Sequence, residues 1–128
     1  MKVAHVAVWC RDLDRATAFW VSHFGARSGG RYASTRRPGF VSRFVQLDEG
    51  ATLELMSAPW LACDEGNSTE RPGWSHVAIA LGNEAAVDAL AARMQIEGLL
   101  VSPPRRTGDG FYEAVIQDPE GNLVEITA

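Results

Sequence analysis

Lysine is almost missing from this chain: Lys2 is the single one in 128 residues. With a net charge of −4 and a pI near 5.3, that excludes a polybasic surface, so nucleic acid is not an expected partner. Cysteine is scarce too. Cys10 and Cys63 form no close-spaced metal or redox pair, and two cysteines in a chain this long do not make a secreted disulfide scaffold. No apolar stretch approaches the roughly 20 residues of a membrane span. The opening apolar run stops at Arg11-Asp12, too short for a signal peptide and without a small-residue cleavage site, so a first β-strand is expected there. A reduced, cytoplasmic protein with no membrane partner is the expectation. What remains is ordinary: 46% hydrophobic and 22% charged residues, enough for one globular domain with a sizeable core.

The informative pattern is a repeat. His5 and Glu54 recur as His76 and Glu125, both displaced by 71 residues (76 − 5 and 125 − 54). His5-Val6-Ala7-Val8 faces His76-Val77-Ala78-Ile79, Gly39-Phe40 faces Gly110-Phe111, and Leu53-Glu54-Leu55 faces Val124-Glu125-Ile126. Residues 39–56 align with 110–127 without a gap. A duplicated fold accounts for the apolar matches. It does not by itself require a His and a Glu to be duplicated.

Period and punctuation organise each copy. Residues 3–10 read as a strand, and Asp12 caps a helix over about 13–24 that Gly25 ends. Residues 27–33 are a weak strand. Phe40–Leu47 and Ala51–Ser57 make a hairpin around Asp48-Glu49-Gly50. The second copy repeats the order: strand Trp74–Leu81, helix Glu84–Ile96 closed by Gly98, short strand Leu99–Ser102, then strands 110–117 and 122–127 around Asp118-Pro119-Glu120-Gly121. The expected class is α+β: two βαβββ modules in tandem, module one at 1–57, a linker at 58–73 and module two at 74–128. Segments 34–39 and 103–110 are expected as matching loops.

Strand alternation then places side chains. His5 shares a face with Val3, Ala7 and Trp9, and His76 with Trp74, Ala78 and Ala80. Glu54 lies with Thr52 and Met56, and Glu125 with Leu123 and Thr127. The opposite faces are aliphatic and suit packing on the helix. Two imidazoles and two carboxylates suit a divalent ion (Ni, Zn, Fe, Mn or Co) and leave positions open for water or substrate. A lone strand His or Glu is more often structural, but an unpaired buried carboxylate is costly, and this pair occurs twice at one period. Two His–Glu ion pairs without metal are the structural alternative.

At this point the chain resembles the vicinal oxygen chelate superfamily, which includes glyoxalase I, bleomycin and fosfomycin resistance proteins and extradiol dioxygenases. The likeness rests on the paired modules, the opening His5-Val6-Ala7-Val8, the helix end Phe24-Gly25 and the closing run Asp118-Pro119-Glu120-Gly121-Asn122-Leu123-Val124-Glu125-Ile126. It implies strands curled into a curved mixed sheet, an incomplete barrel, around one divalent metal held by His5, Glu54, His76 and Glu125. A full His/Glu/His/Glu set is most similar to glyoxalase I. The activity implied is that of a metal-dependent lyase or isomerase, acting on a small hemithioacetal or α-hydroxycarbonyl substrate through an enediolate, with Glu125 as base and Glu54 as partner ligand or second base. A homodimer is implied as well. The alternatives are a non-catalytic ligand-binding protein of the bleomycin-resistance type and an Fe(II) extradiol-type dioxygenase, which uses two His and one Glu.

Two departures concern the substrate. Trp9 and Ala58 stand where bacterial glyoxalase I carries Arg and Asn toward glutathione. Trp9 and Trp74, on the His faces, are candidates to line the pocket, with barrel-floor packing as the alternative. Arg43 and Glu113 are further pocket candidates; an exposed or paired strand residue is the plainer reading of each. Arg36, Arg37, Arg105 and Arg106 read first as solvated loop charge and second as contacts for an anionic substrate. Trp60 is a lid or packing residue, His23 a cation at a helix end, and Cys10 a core residue.

Overall fold

The computed structural model describes residues 5–61, 76–108 and 110–128. Trp74, Cys63 and most of the expected linker lie outside them. The chain divides into two compact units, Met1–Glu65 and Gly66–Ala128.

In the first unit the order is β1 (His5–Trp9), α1 (Leu13–Phe24), β2 (Arg27–Ser28), β3 (Tyr32–Ala33), β4 (Val41–Gln46) and β5 (Thr52–Ser57). The sheet runs β1-β5-β4-β2, with β3 also on β4. β1 pairs with β5 in parallel; the other pairings are antiparallel. The second unit holds β6 (His76–Ala80), α2 (Glu84–Ile96), β7 (Leu100–Arg106), β8 (Tyr112–Gln117) and β9 (Leu123–Thr127). Its sheet runs β6-β9-β8-β7, again with the first and last strands parallel. The architecture is therefore α+β, two tandem βαβββ modules, each with its own mixed sheet. β1 and β6, and β4 and β8, start at the same 71-residue offset that separates His5 from His76.

Each helix starts on a side-chain cap. Asp12 accepts the Arg15 backbone N–H at 2.9 Å, and Asn83 accepts that of Ala86 at 2.9 Å. Gly25 ends α1 in the left-handed region at φ +64°, where its N–H bonds the Val21 carbonyl and the Ala26 N–H bonds that of Trp20. The cores follow the aliphatic stripes. Leu13, Ala16, Phe19 and Trp20 of α1 are buried, as are Val45, Leu53 and Leu55 of the sheet it packs on. Val87, Leu90, Ala91 and Met94 of α2 are buried with Ala114, Ile116, Val124 and Ile126. Each fully buried large apolar side chain contributes about 1.5–3 kcal/mol. Among the described residues no helix is long and apolar enough to cross a membrane.

Two expectations are corrected. The weak strand at 27–33 is split into β2 and β3 around Gly29-Gly30, which pack no side chain and weaken a ladder. The region expected as a loop from 103 is strand as far as Arg106. β7 is an edge strand, where Pro103 and Pro104 need give up no central ladder bond. The register shifts between Leu100 and Arg105 absorb the mismatch.

Candidate functional site

Cross-strand register decides which side chains share a face. Ala7 lies opposite Glu54, and Phe44 lies opposite Glu54 from the other side. His5, Ala7 and Trp9 thus share a face with Thr52, Glu54, Met56, Ser42 and Phe44. In the second module Ala78 and Val115 flank Glu125, so His76, Glu125, Glu113 and Gln117 share a face. These are the open faces. Leu53 and Leu55 are buried while Glu54 between them is half-buried; Val124 and Ile126 are buried while Glu125 is half-buried.

The sheet brings each repeated His onto its Glu. His5 Nε2 stands 3.8 Å from Glu54 Oε2, and His76 Nε2 stands 3.6 Å from Glu125 Oε2. Both spacings exceed a hydrogen bond. The histidine side chains are 48% and 41% exposed and the carboxylates 18% and 21%, so these donors are reachable from outside while their stems are held. Neither carboxylate is paired with an Arg among the described residues. His5 also meets the Phe44 ring edge-on at 5.6 Å. Each module thus supplies two of the four donors named from sequence. No three His, Cys, Asp or Glu side chains group together among the described residues.

The other sequence candidates separate. Trp9 lies on the His5 face, 40% exposed and edge-on to Phe40 at 6.0 Å. Glu113 lies on the Glu125 face and is 8% exposed; its Oε1 accepts from Arg105 Nη2 at 3.1 Å. That pairing satisfies the buried carboxylate and follows from the unexpected length of β7. Arg43 is corrected outright: it lies with Leu55 on the helix-facing side, where Nη1 reaches Asp14 Oδ1 at 3.2 Å and Thr17 Oγ1 at 3.4 Å. It ties α1 to the sheet and is not part of the open face. Arg106 bonds Glu84 and lies over the Tyr112 ring, and Arg36 is exposed. Arg37 stacks over Phe40 at 5.2 Å and Trp60 at 5.0 Å. Cys10 is buried, and Ala58 is buried just after β5.

The closing motif divides into two parts. Asp118 is 2% exposed. Its Oδ1 accepts the backbone N–H of Glu120 and of Asn122, and its Oδ2 accepts Asn122 Nδ2, each at 2.9 Å. The Asp-Pro-Glu-Gly-Asn run is a turn held by one carboxylate, and of that motif Glu125 is the residue beside His76. A second set, unforeseen from sequence, links α2 to β8: the Tyr112 hydroxyl donates to Asp88 Oδ1 at 2.7 Å. That hydrogen bond, then burial and the nearby Asp88 and Glu84 charges, raise the phenol above its ordinary 10.0, against the opposing effect of Arg106.

Comparison with known proteins identifies the family. The profile of the Glyoxalase/Bleomycin resistance protein/Dioxygenase superfamily matches residues 2–126. An uncharacterized protein of Pseudomonas aeruginosa is 32% identical over 127 residues, covering 98% of this chain and 86% of the relative. The crystal structure of a glyoxylase/bleomycin resistance protein/dioxygenase domain from Frankia superposes with a TM-score of 0.83 at 18% identity, covering 99% of this chain and 96% of that one. A lactoylglutathione lyase from Agrobacterium tumefaciens superposes with a TM-score of 0.67 at 25% identity, covering 98% and 91%. The chain belongs to the glyoxalase/bleomycin resistance protein/dioxygenase superfamily, also called the vicinal oxygen chelates.

Proposed function

We propose that this protein is a divalent-metal-dependent lyase or isomerase acting on a small vicinal-oxygen substrate, with His5, Glu54, His76 and Glu125 as the metal-holding set. The repeated His–Glu pair on the open face of each module carries the reading. The donor set fits. Two imidazoles and two carboxylates suit Ni, Zn, Fe, Mn or Co, and each pair holds its atoms close without closing them into a hydrogen bond with each other. A bound ion would supply Lewis-acid stabilisation of negative charge developing on substrate oxygens.

The chain's own residues supply the rest. In this reading Glu125, held at its stem between buried Val124 and Ile126, takes a proton from carbon, and Glu54 is its counterpart in the first module. The aliphatic faces beneath fix both strands, so each carboxylate moves mainly about its own side-chain torsions. Trp9 and Ala58 replace polar contacts expected for a glutathionyl group, which favours a substrate without one. A homodimer is part of the proposal.

The deciding experiment is metal analysis and divalent-ion titration of protein purified without a metal-affinity tag. One ion bound per four-donor set, lost in the His5→Ala and His76→Ala variants, is expected. Protein that binds none of Ni, Zn, Fe, Mn or Co refutes the reading and leaves a ligand-binding protein of the drug-resistance type. Oxygen uptake with catechols on the Fe(II)-loaded protein would instead mark a ring-cleaving dioxygenase.

A further inference from the structure

We propose that the substrate carries a carboxylate beyond its vicinal oxygens, and that Arg105 of β7 receives it, aimed by the buried carboxylate of Glu113. The inference rests on the proposed reading for where the reacting end lies, but its own support is separate and comes from the sheet of the second module. Arg105 is the cross-strand partner of Glu113, and Glu113 is the partner of Thr127. Thr127 shares a strand face with Glu125, two residues before it. Arg105 therefore stands on the face of His76 and Glu125, one row along and two strands across in the order β9-β8-β7. With strands about 4.8 Å apart and rows about 7 Å apart, the Arg105 and Glu125 backbones are separated by about 12 Å. The lean of the guanidinium onto Glu113 shortens that span, which suits an acidic group several bonds from the reacting carbons.

A bulge puts Arg105 on this face. Ser102 pairs with Val115 and Arg105 with Glu113, so β7 advances three residues while β8 advances two. Simple alternation sends side chains three residues apart to opposite faces. The register shift cancels that and returns Arg105 to the face shared by Ser102, Val115 and Glu125. Pro103 and Pro104 occupy the shifted stretch, and their fixed φ stiffens it.

The ion pair holds the guanidinium without using it up. Glu113 is 8% exposed, whereas the Arg105 side chain is 58% exposed. Arg105 Nη2 donates to Glu113 Oε1 at 3.1 Å, its one side-chain hydrogen bond among the described residues. A guanidinium carries several N–H donors in a rigid planar fork, so one edge is held and another faces outward. That is the form in which arginine takes a carboxylate through two parallel bonds. The repeat serves as an internal control. At the 71-residue offset Glu113 becomes Ser42, which is also buried and is paired with Tyr32. The first module builds the same strand around a small neutral residue. Burying a charge costs solvation that its partner must offset, so the βαβββ framework does not account for this pair.

The test uses the full chain, metal-free and zinc-loaded, titrated by ligand-observed NMR with 2-oxoglutarate and with 2-oxopentanoate. The two acids share chain length and vicinal oxygens and differ in the far carboxylate. 2-Oxoglutarate should bind at least tenfold more tightly, a difference of about 1.4 kcal/mol. Arg105→Gln should bring the ratio below threefold. Arg105→Gln with Glu113→Gln should do the same; it leaves the net charge and a hydrogen-bonding pair in place, so no buried carboxylate is stranded. Equal binding of the two acids by both forms of the wild-type protein, or no binding of either, overturns the proposal without any variant. So does a preference that survives in the folded double variant, which would leave the ion pair a tie between β7 and β8. Ion uptake is read separately: protein that takes up no ion yet keeps the preference sinks the metal reading and leaves this one standing.

Discussion

Replacing Asp118 with Ala removes one buried carboxylate and three accepted hydrogen bonds, two from backbone N–H groups and one from Asn122 Nδ2. Hydrogen bonds to a charged group contribute about 1.5–3 kcal/mol each, so three independent bonds would sum to roughly 4.5–9 kcal/mol. Glu120 and Asn122 are both half-buried, so water recovers part of that loss. The backbone bond from Asp118 N–H to Asn122 O at 2.9 Å survives the substitution. The expected cost is about 2–4 kcal/mol. With a urea slope of about 1–3 kcal/mol/M, the unfolding midpoint followed by circular dichroism should fall by about 1–2 M. Asp118→Asn keeps an acceptor for the two backbone N–H groups and should lose about half as much. A midpoint unchanged in Asp118→Ala, or an Asn variant as unstable as Ala, would refute the assignment of this motif to turn stability. Folded Asp118→Ala protein should still bind divalent ions, because Glu125 lies beyond the turn.

The remaining predictions address the His–Glu pairs and the framework. Glu125→Gln should preserve the fold and lose most turnover, at least 100-fold, as expected on removing a general base; unchanged turnover removes it from that role. Glu54→Gln and Glu125→Gln should each weaken divalent-ion affinity at least tenfold by calorimetry, since each removes one charged donor from a set of four. Gly39→Ala should destabilise by about 1–3 kcal/mol in urea unfolding, because Gly39 sits at φ +89° and an added Cβ would meet Pro59 Cγ at 2.8 Å. Tyr112 should ionise later than an ordinary phenol in a phenolate absorbance titration, and Asp88→Asn should move it back down. Because its folded value is raised, its contribution to stability is present below the ordinary value near 10.0 and is lost as pH climbs through the raised one.

Much of this was legible before any coordinate. The helix bounds at 13–24 and 84–96 follow from Asp12 and the glycines at 25 and 98, because capping is local chemistry within one turn. The placement of His5, Glu54, His76 and Glu125 on open faces was legible too. Strand side chains alternate with a period of 2, and the aliphatic neighbours Leu53, Leu55, Val124 and Ile126 must be buried.

Arg43 shows where that reasoning stops. Its own strand allows either face until the hairpin register pairs Phe44 with Glu54, and then Arg43 must point to the helix and Asp14. Glu113 depended on a strand that composition disfavoured: Pro103-Pro104 reads as loop, and only an edge position in the sheet lets β7 reach Arg105. The face of Glu54 joins Ala7 and Trp9 of β1 and Ser42 and Phe44 of β4 across β5. Local period and the 71-residue repeat determined which residues each module offers. Tertiary pairing across strands distant in sequence decided which of them meet, because register is set by long-range hydrogen-bond ladders that no single segment encodes.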